Sequence, residues 1–103
     1  MEITSASQFR AKQAWDSKTI ACMQGISTKL HWTDQPYKWH INDGQEVFVV
    51  LDGEVEMFYK LQSVEHSVLL KVGDIFFADV GEEHVAHPRG EARILVVEKQ
   101  GSV

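Results

Sequence analysis

The chain has few of the residues that rigidify or cross-link a small protein. Only Cys22 is a cysteine, and only two of the 103 residues are prolines. An intrachain disulfide is therefore impossible, and a cysteine-rich zinc site is excluded. We expect Cys22 to be a buried, small apolar side chain, and we expect a cytoplasmic protein because nothing here depends on an oxidising compartment.

Long hydrophobic runs and an excess of basic residues are also missing. The longest uncharged apolar runs, such as residues 47–51, are too short to cross a bilayer. Residues 1–15 lack the basic start and apolar stretch of a secretory signal. Fifteen acidic residues against ten basic ones give a formal net charge of −5, which opposes phosphate binding. We therefore expect neither a membrane nor a nucleic acid as a partner.

Short segments rich in Val, Ile, Phe and Thr occupy most of the chain after Lys18, with turn residues between them. Such segments at spacings of about eight to twelve residues, without a long helical segment, predict an all-β sandwich or barrel. The predicted strands are residues 19–24, 27–33, 47–51, 54–60, 66–71, 75–78, 84–87 and 92–98. Residues 5–15 are predicted to form a short N-terminal helix. The length fits one domain over residues 1–103.

Two predicted strands are apolar at consecutive positions, residues 47–51 and 94–97. A strand with one solvated face alternates apolar and polar residues, so these strands need cover on both faces. In a protein of this size a second copy of the chain is an economical source of that cover. We therefore predict a homodimer.

Four residues with metal-binding side chains lie near the ends of predicted strands. His40 and Asn42 are separated by one residue, so both can project from the same face of an extended segment. Glu46 opens the next strand, and His84 opens another strand far along the chain. Two imidazoles and a carboxylate suit Fe, Mn, Ni, Zn or Cu, and the Asn42 carbonyl is a weaker donor. These four residues are the candidate ligands of a divalent transition metal. A polar network without metal, in which His and Glu bond each other, is the alternative.

Two segments, residues 39–53 and 73–88, resemble the two sequence motifs of the cupin superfamily. The first contains H-x-N, three residues, E, six residues and G, where cupins have H-x-H, E and G at this spacing. The second contains G, five residues, D-x-G, two residues and H, where cupins have G, P-x-G and H. The resemblance extends over about residues 17–101. It is strongest to the short single-domain cupins called mannose-6-phosphate-isomerase-like, whose L-x-x-E-x-x-G ending recurs at residues 95–101.

This resemblance implies an all-β double-stranded β-helix (jelly-roll) barrel with His40, Glu46 and His84 lining a ligand cavity inside it. The chain departs from the cupin pattern at Asn42, which replaces the second histidine, and at Asp79, which replaces a proline. The glycine that normally precedes the first motif is absent. These departures leave the expected fold unchanged, and they alter the donor set of the expected metal site.

Three functions are compatible with such a barrel. One is a metal-dependent dioxygenase or isomerase of a small organic acid or sugar. Another is an enzyme that uses His40 or His84 as a general base without metal. The third is a non-catalytic module that binds a sugar or small metabolite. His87, close behind His84, is an alternative donor, and His31 is expected at the surface. The aromatic residues expected at the cavity mouth are Trp32, Tyr37 and Trp39.

Overall fold

The computed structural model describes residues 1–102, and these residues consist almost entirely of antiparallel strands. A single turn of 3-10 helix, Ala6–Gln8, precedes the first strand. The strands are β1 (Ser17–Met23), β2 (Ile26–Thr33), β3 (His40–Ile41), β4 (Glu46–Asp52), β5 (Val55–Leu61), β6 (Val64–Leu70), β7 (Ile75–Ala78), β8 (Glu83–Pro88) and β9 (Ala92–Lys99).

The all-β prediction is confirmed, and every predicted strand overlaps an observed one. Strand β3 was missed because two residues are too few to show alternation. The helix predicted over residues 5–15 is wrong in extent, since only one 3-10 turn forms. Ser5 precedes that turn without a side-chain capping hydrogen bond, and the positive φ of Trp15, 68°, is incompatible with a helix.

The strands form two sheets. The five-stranded sheet has the order β1-β2-β9-β4-β7, and the four-stranded sheet has the order β3-β8-β5-β6. Strand β9 inserts between β2 and β4, so the sheet neighbours are distant in sequence, as in a jelly roll. The core combines side chains of both sheets. It includes Phe48, Val50, Ile94 and Val96 from the first sheet and Val55, Met57, Leu70 and Ala86 from the second.

The outer face of the five-stranded sheet is also apolar. Ile75, Val49, Leu95 and Leu30 are consecutive cross-strand neighbours on β7, β4, β9 and β2. N-terminal residues lie over the end near Leu30. At the other end Ile75 is 67% exposed, and Phe77 in the same strand is 53% exposed. We call this apolar region the outer sheet face.

Cys22 is exposed, so the prediction that it is buried is wrong. It lies on β1, an edge strand with a neighbour on one side only, and its Sγ is 3.5 Å from Gln100 Oε1. Within residues 1–102 no helix has the length and apolarity that a membrane span requires.

Candidate metal centre

His40 and His84 come together because β3 pairs with β8. The two residues are direct cross-strand partners, and their ring centroids are 4.3 Å apart. Opposed residues of an antiparallel pair project to the same face, so both imidazoles point between the sheets. His84 is only 2% exposed, whereas His40 is half-buried and lies nearer to solvent.

Glu46 approaches these histidines from the other sheet. It is the first residue of β4, and strand alternation places it on the inward face together with Phe48 and Val50. Its Oε1 is 2.9 Å from His84 Nε2, and the residue is 7% exposed. One donor atom from each of His40, Glu46 and His84 lies within 4.8 Å of the other two. Three of the four candidate ligands are thus brought together inside the barrel.

Asn42, the fourth candidate, is buried directly after β3, but its side chain is not among those that line the cavity. Its backbone N–H donates to the Glu82 carbonyl at 3.2 Å, and its carbonyl accepts from the Gly81 N–H at 2.9 Å. Its side-chain Nδ2 has no hydrogen-bond partner within residues 1–102. The role of Asn42 as a metal ligand stays a prediction.

Two expectations about other histidines are wrong. His87 follows His84 by three residues, so strand alternation turns it to the opposite face, and Ala86 lines the cavity instead. His31, expected at the surface, lines the cavity as well, and its Nδ1 is 2.9 Å from the Trp15 carbonyl oxygen. Lys29 and His31 are separated by one residue on β2, so side-chain alternation places both on the cavity face.

Two of the donor side chains are in the protonation states that a metal requires. Burial lowers the pKa of His40, and the neighbouring His84 lowers it further. His40 Nδ1 is 3.1 Å from the Lys38 carbonyl oxygen, which can only accept, so Nδ1 carries the proton and Nε2 keeps a free lone pair. Burial raises the pKa of Glu46, but its hydrogen bond and attraction to His84 outweigh burial, and the net pKa is lowered. At neutral pH the site offers a neutral imidazole and an ionised carboxylate.

The three donors open into a cavity of about 170 Å³ between the sheets. Trp15 and Tyr37 form one wall, with their ring centroids 5.2 Å apart in a T-shaped arrangement, and Tyr37 contacts the His40 ring in the same way at 5.2 Å. The expectation for Tyr37 is therefore confirmed. Trp32 and Trp39 are not among the lining residues.

Glu98 lines the cavity, and it was missed in the sequence. It lies directly opposite Glu46 in the β4–β9 pair. Burial, and then the hydrogen bond and charge of Glu46, raise the pKa of Glu98 to about 7. The two carboxyl groups can therefore share one proton near neutral pH. The alternation of inward apolar residues at positions 92, 94 and 96 could have identified Glu98 as the next inward residue of this strand.

Solved structures of cupin proteins share the fold of this chain. A cupin-2 domain protein from Shewanella frigidimarina is 27% identical with a TM-score of 0.77, over 91% of this chain and 87% of that one. A cupin superfamily protein from Desulfitobacterium hafniense is 16% identical with a TM-score of 0.75, over 91% and 85%. No protein-family model matches the sequence, and no curated protein matches it.

A third similar structure is an enzyme. Hydroxypropylphosphonic acid epoxidase from S. wedmorenis, in complex with fosfomycin, is 20% identical with a TM-score of 0.63, over 72% of this chain and 43% of that one. Forms of this epoxidase with Fe(II), and with Co(II) and substrate, match as well.

The chain has the double-stranded β-helix fold of these cupin proteins. His40, Glu46 and His84 form a cluster that could hold a metal ion at the inner wall of this barrel. Two imidazoles and one carboxylate can bind an ion and still leave coordination positions open towards the cavity.

Proposed function

We propose that the chain binds one divalent transition metal through His40, Glu46 and His84 and holds a small molecule beside it. The observation that carries this proposal is the meeting of three donor atoms within 4.8 Å, contributed by two different sheets. Two histidines and one carboxylate with open positions are the donor set of non-haem iron(II) oxygenases. Fe(II) is therefore the first metal to test, and Mn, Ni, Zn and Cu are the alternatives.

The surrounding groups support this proposal. The carbonyl of Lys38 accepts from His40 Nδ1 and so fixes the ring, as the hydrogen-bond acceptor behind a metal-binding histidine does. His84 Nδ1 is buried and has no hydrogen-bond partner within residues 1–102, so Glu46 alone does not satisfy that imidazole. The fold is shared with an epoxidase whose solved forms contain Fe(II) and Co(II).

A metal bound here would supply Lewis-acid polarisation of a ligand oxygen. The protein's own groups would do the rest. Trp15 and Tyr37 shield one side of the cavity from water, because their rings pack together beside His40. Glu98, with a pKa of about 7, can hold or release a proton at its carboxyl group next to Glu46.

A metal-free module that binds a sugar or small metabolite is the second candidate. It is favoured by the 2.9 Å hydrogen bond between His84 Nε2 and Glu46 Oε1, which pairs these two groups without an ion. Metal titration separates the two candidates. Only the metal-binding candidate requires His84 Nε2 and Glu46 Oε1 to give up their hydrogen bond and bind one ion together.

The test is calorimetric titration of metal-free protein with Fe(II) under anaerobic conditions, and with Mn(II) in air. We expect His40→Ala to weaken binding by at least about 100-fold, since removal of a group that only hydrogen-bonds a metal ligand already weakens binding by about 10- to 100-fold. His66→Ala is the matched control, because His66 is exposed on β6. Equal affinity of His40→Ala and wild type would contradict the proposed site.

We also propose that a second copy of the chain covers the outer sheet face. N-terminal residues already lie over the Leu30 end of this face, so the free part is the end formed by β4 and β7. The exposed Ile75 and Phe77 lie on this face. The cytoplasmic location and the single domain over residues 1–103 stay predictions.

A further inference from the structure

Lys29 places a positive charge inside the barrel. It lies on the inward face of β2 between Ser27 and His31, and it lines the same cavity as the candidate ligands. Its cross-strand partner is Val96, so its immediate neighbour on β9 is apolar. Lys29 is half-buried, and its side chain forms part of the wall of the cavity that holds the three donors.

Within residues 1–102, the Lys29 ammonium forms no ion pair with an acidic group at 4.0 Å or less. Glu98, which pairs with Ser27, is diagonal to Lys29 on this wall, about 7–8 Å away at the backbone. Burial and Glu46 raise the pKa of Glu98, and the charge of Lys29 lowers it by a smaller amount, but the two side chains form no ion pair within 4.0 Å. A partly desolvated ammonium without a counter-ion is unfavourable, so an anion entering the cavity gains a partner there.

The acidic groups of the cavity, Glu46 and Glu98, face each other on β4 and β9 and disfavour an anion on their side. The other groups beside Lys29 carry no charge. Burial lowers the pKa of His31, and the positive charge of Lys29 lowers it further, so His31 is neutral at pH 7. Trp15 and Tyr37 offer an aromatic wall without charge. A neutral sugar would leave the Lys29 charge unpaired, whereas a carboxylate would pair with it.

We propose that Lys29 is the anion anchor of the cavity and that the ligand is a small organic acid. One carboxylate of this acid pairs with the ammonium, and its other end lies at His40, Glu46 and His84. The assignment of that other end rests on the proposed metal site. The cavity of about 170 Å³ is similar to a ~150 Å³ cavity that holds benzene, so the acid has roughly six to ten non-hydrogen atoms.

The probe is succinate, a small dicarboxylate, compared with succinamide, its uncharged diamide of the same shape. Binding is followed by ¹H–¹⁵N NMR titration, because this method detects millimolar affinities. Two samples are titrated, the metal-free protein and the Zn(II)-loaded protein. The Trp15 indole N–H, which donates to the Gln35 carbonyl, is a reporter at the cavity wall. We expect succinate to bind at least tenfold more tightly than succinamide.

Variants at Lys29 locate the anchor. We expect Lys29→Met to lose at least tenfold in succinate affinity and Lys29→Arg to retain most of it. Lys71→Met is the control with the same change in net charge, because Lys71 is exposed in the turn between β6 and β7. A native-like spectrum of Lys29→Met shows that the loss does not come from unfolding.

Failure of the anchor and failure of the metal site give different results. Equal binding of succinate and succinamide, undiminished binding by Lys29→Met, or no binding of succinate by wild type would each overturn the anchor. Zn(II) uptake by equilibrium dialysis is measured in parallel on wild type and Lys29→Met. If the wild-type protein takes up no Zn(II), the proposed metal site is overturned, whether or not succinate binds. Unchanged metal uptake in Lys29→Met with lost succinate binding is the result we expect.

Discussion

Gly53 is a backbone position at which the barrel tolerates no side chain. It lies in the turn between β4 and β5, with a φ of +77°. A Cβ atom added there would overlap the carbonyl oxygen of Glu91 and lie 3.1 Å from the Cα of Ala92. Ala92 is fully buried at the start of β9, so neither the turn nor the strand can move without disturbing the core. We therefore predict that Gly53→Ala strongly destabilises the fold.

Gly25 provides a matched control for the magnitude. Its φ is +79°, but an added Cβ would have no atom within 4 Å. Gly25→Ala therefore loses only the free energy needed to hold an alanine in the left-handed backbone conformation, about 1–2 kcal/mol. Gly53→Ala adds the displacement of packed backbone, for which overpacking gives about 1–3 kcal/mol. The predicted difference between the two variants is about 2 kcal/mol.

Urea unfolding measured by tryptophan fluorescence compares the two variants directly. With a slope of about 1–3 kcal/mol per molar urea, a difference of about 2 kcal/mol separates the two midpoints by roughly 1 M. We expect the order wild type, Gly25→Ala and Gly53→Ala in decreasing stability. Equal midpoints for the two variants would refute the close approach of the β4–β5 turn to β9.

Three further predictions concern the site and the outer sheet face. Because burial and Glu46 raise the pKa of Glu98 from 4.5 to about 7, the folded metal-free protein holds this proton more tightly than the unfolded chain. Its unfolding free energy should therefore fall by about 1–2 kcal/mol, allowing for partial exposure, as the pH rises from 4.5 to about 7, and Glu98→Gln should remove this fall. Urea unfolding at several pH values tests this, and a wild-type stability that does not change with pH would contradict it. Because Asn42 does not line the cavity, Asn42→Ala should leave metal affinity unchanged in calorimetry; a large loss in Asn42→Ala would instead identify Asn42 as a native ligand. Phe77→Glu should convert a dimer into a monomer by light scattering at micromolar concentration, with Val64→Glu on the exposed edge strand β6 as control; a monomeric wild type would disprove the dimer.

The fold could be predicted because its signals are local. Alternating or continuous apolar segments between turn residues identified the long strands, and the spacing of two motifs identified the barrel type. The N-terminal helix was wrong for a physical reason: residues 5–15 have helix-compatible composition, but no capping bond or continuous apolar face stabilises a helix there. Strand β3 was too short to leave a pattern, although it holds His40.

The site could be predicted only in part because half of it depends on strand pairing. His40, Glu46 and His84 were found from motif spacing, and the fold brings their donor atoms together. Lys29 and Glu98 carry no motif of their own. They reach the cavity because β9 lies between β2 and β4, and that order is not evident from either strand alone.

The most direct test of the central claim is the metal content of the untagged protein. The protein is purified without chelator, and Fe, Mn, Ni, Zn and Cu are quantified per chain by elemental analysis, for wild type and for His84→Ala. We predict close to one equivalent of one of these metals in wild type and almost none in His84→Ala. A wild type that is metal-free as purified, and that remains metal-free after dialysis against each ion, would contradict the metal site at His40, Glu46 and His84.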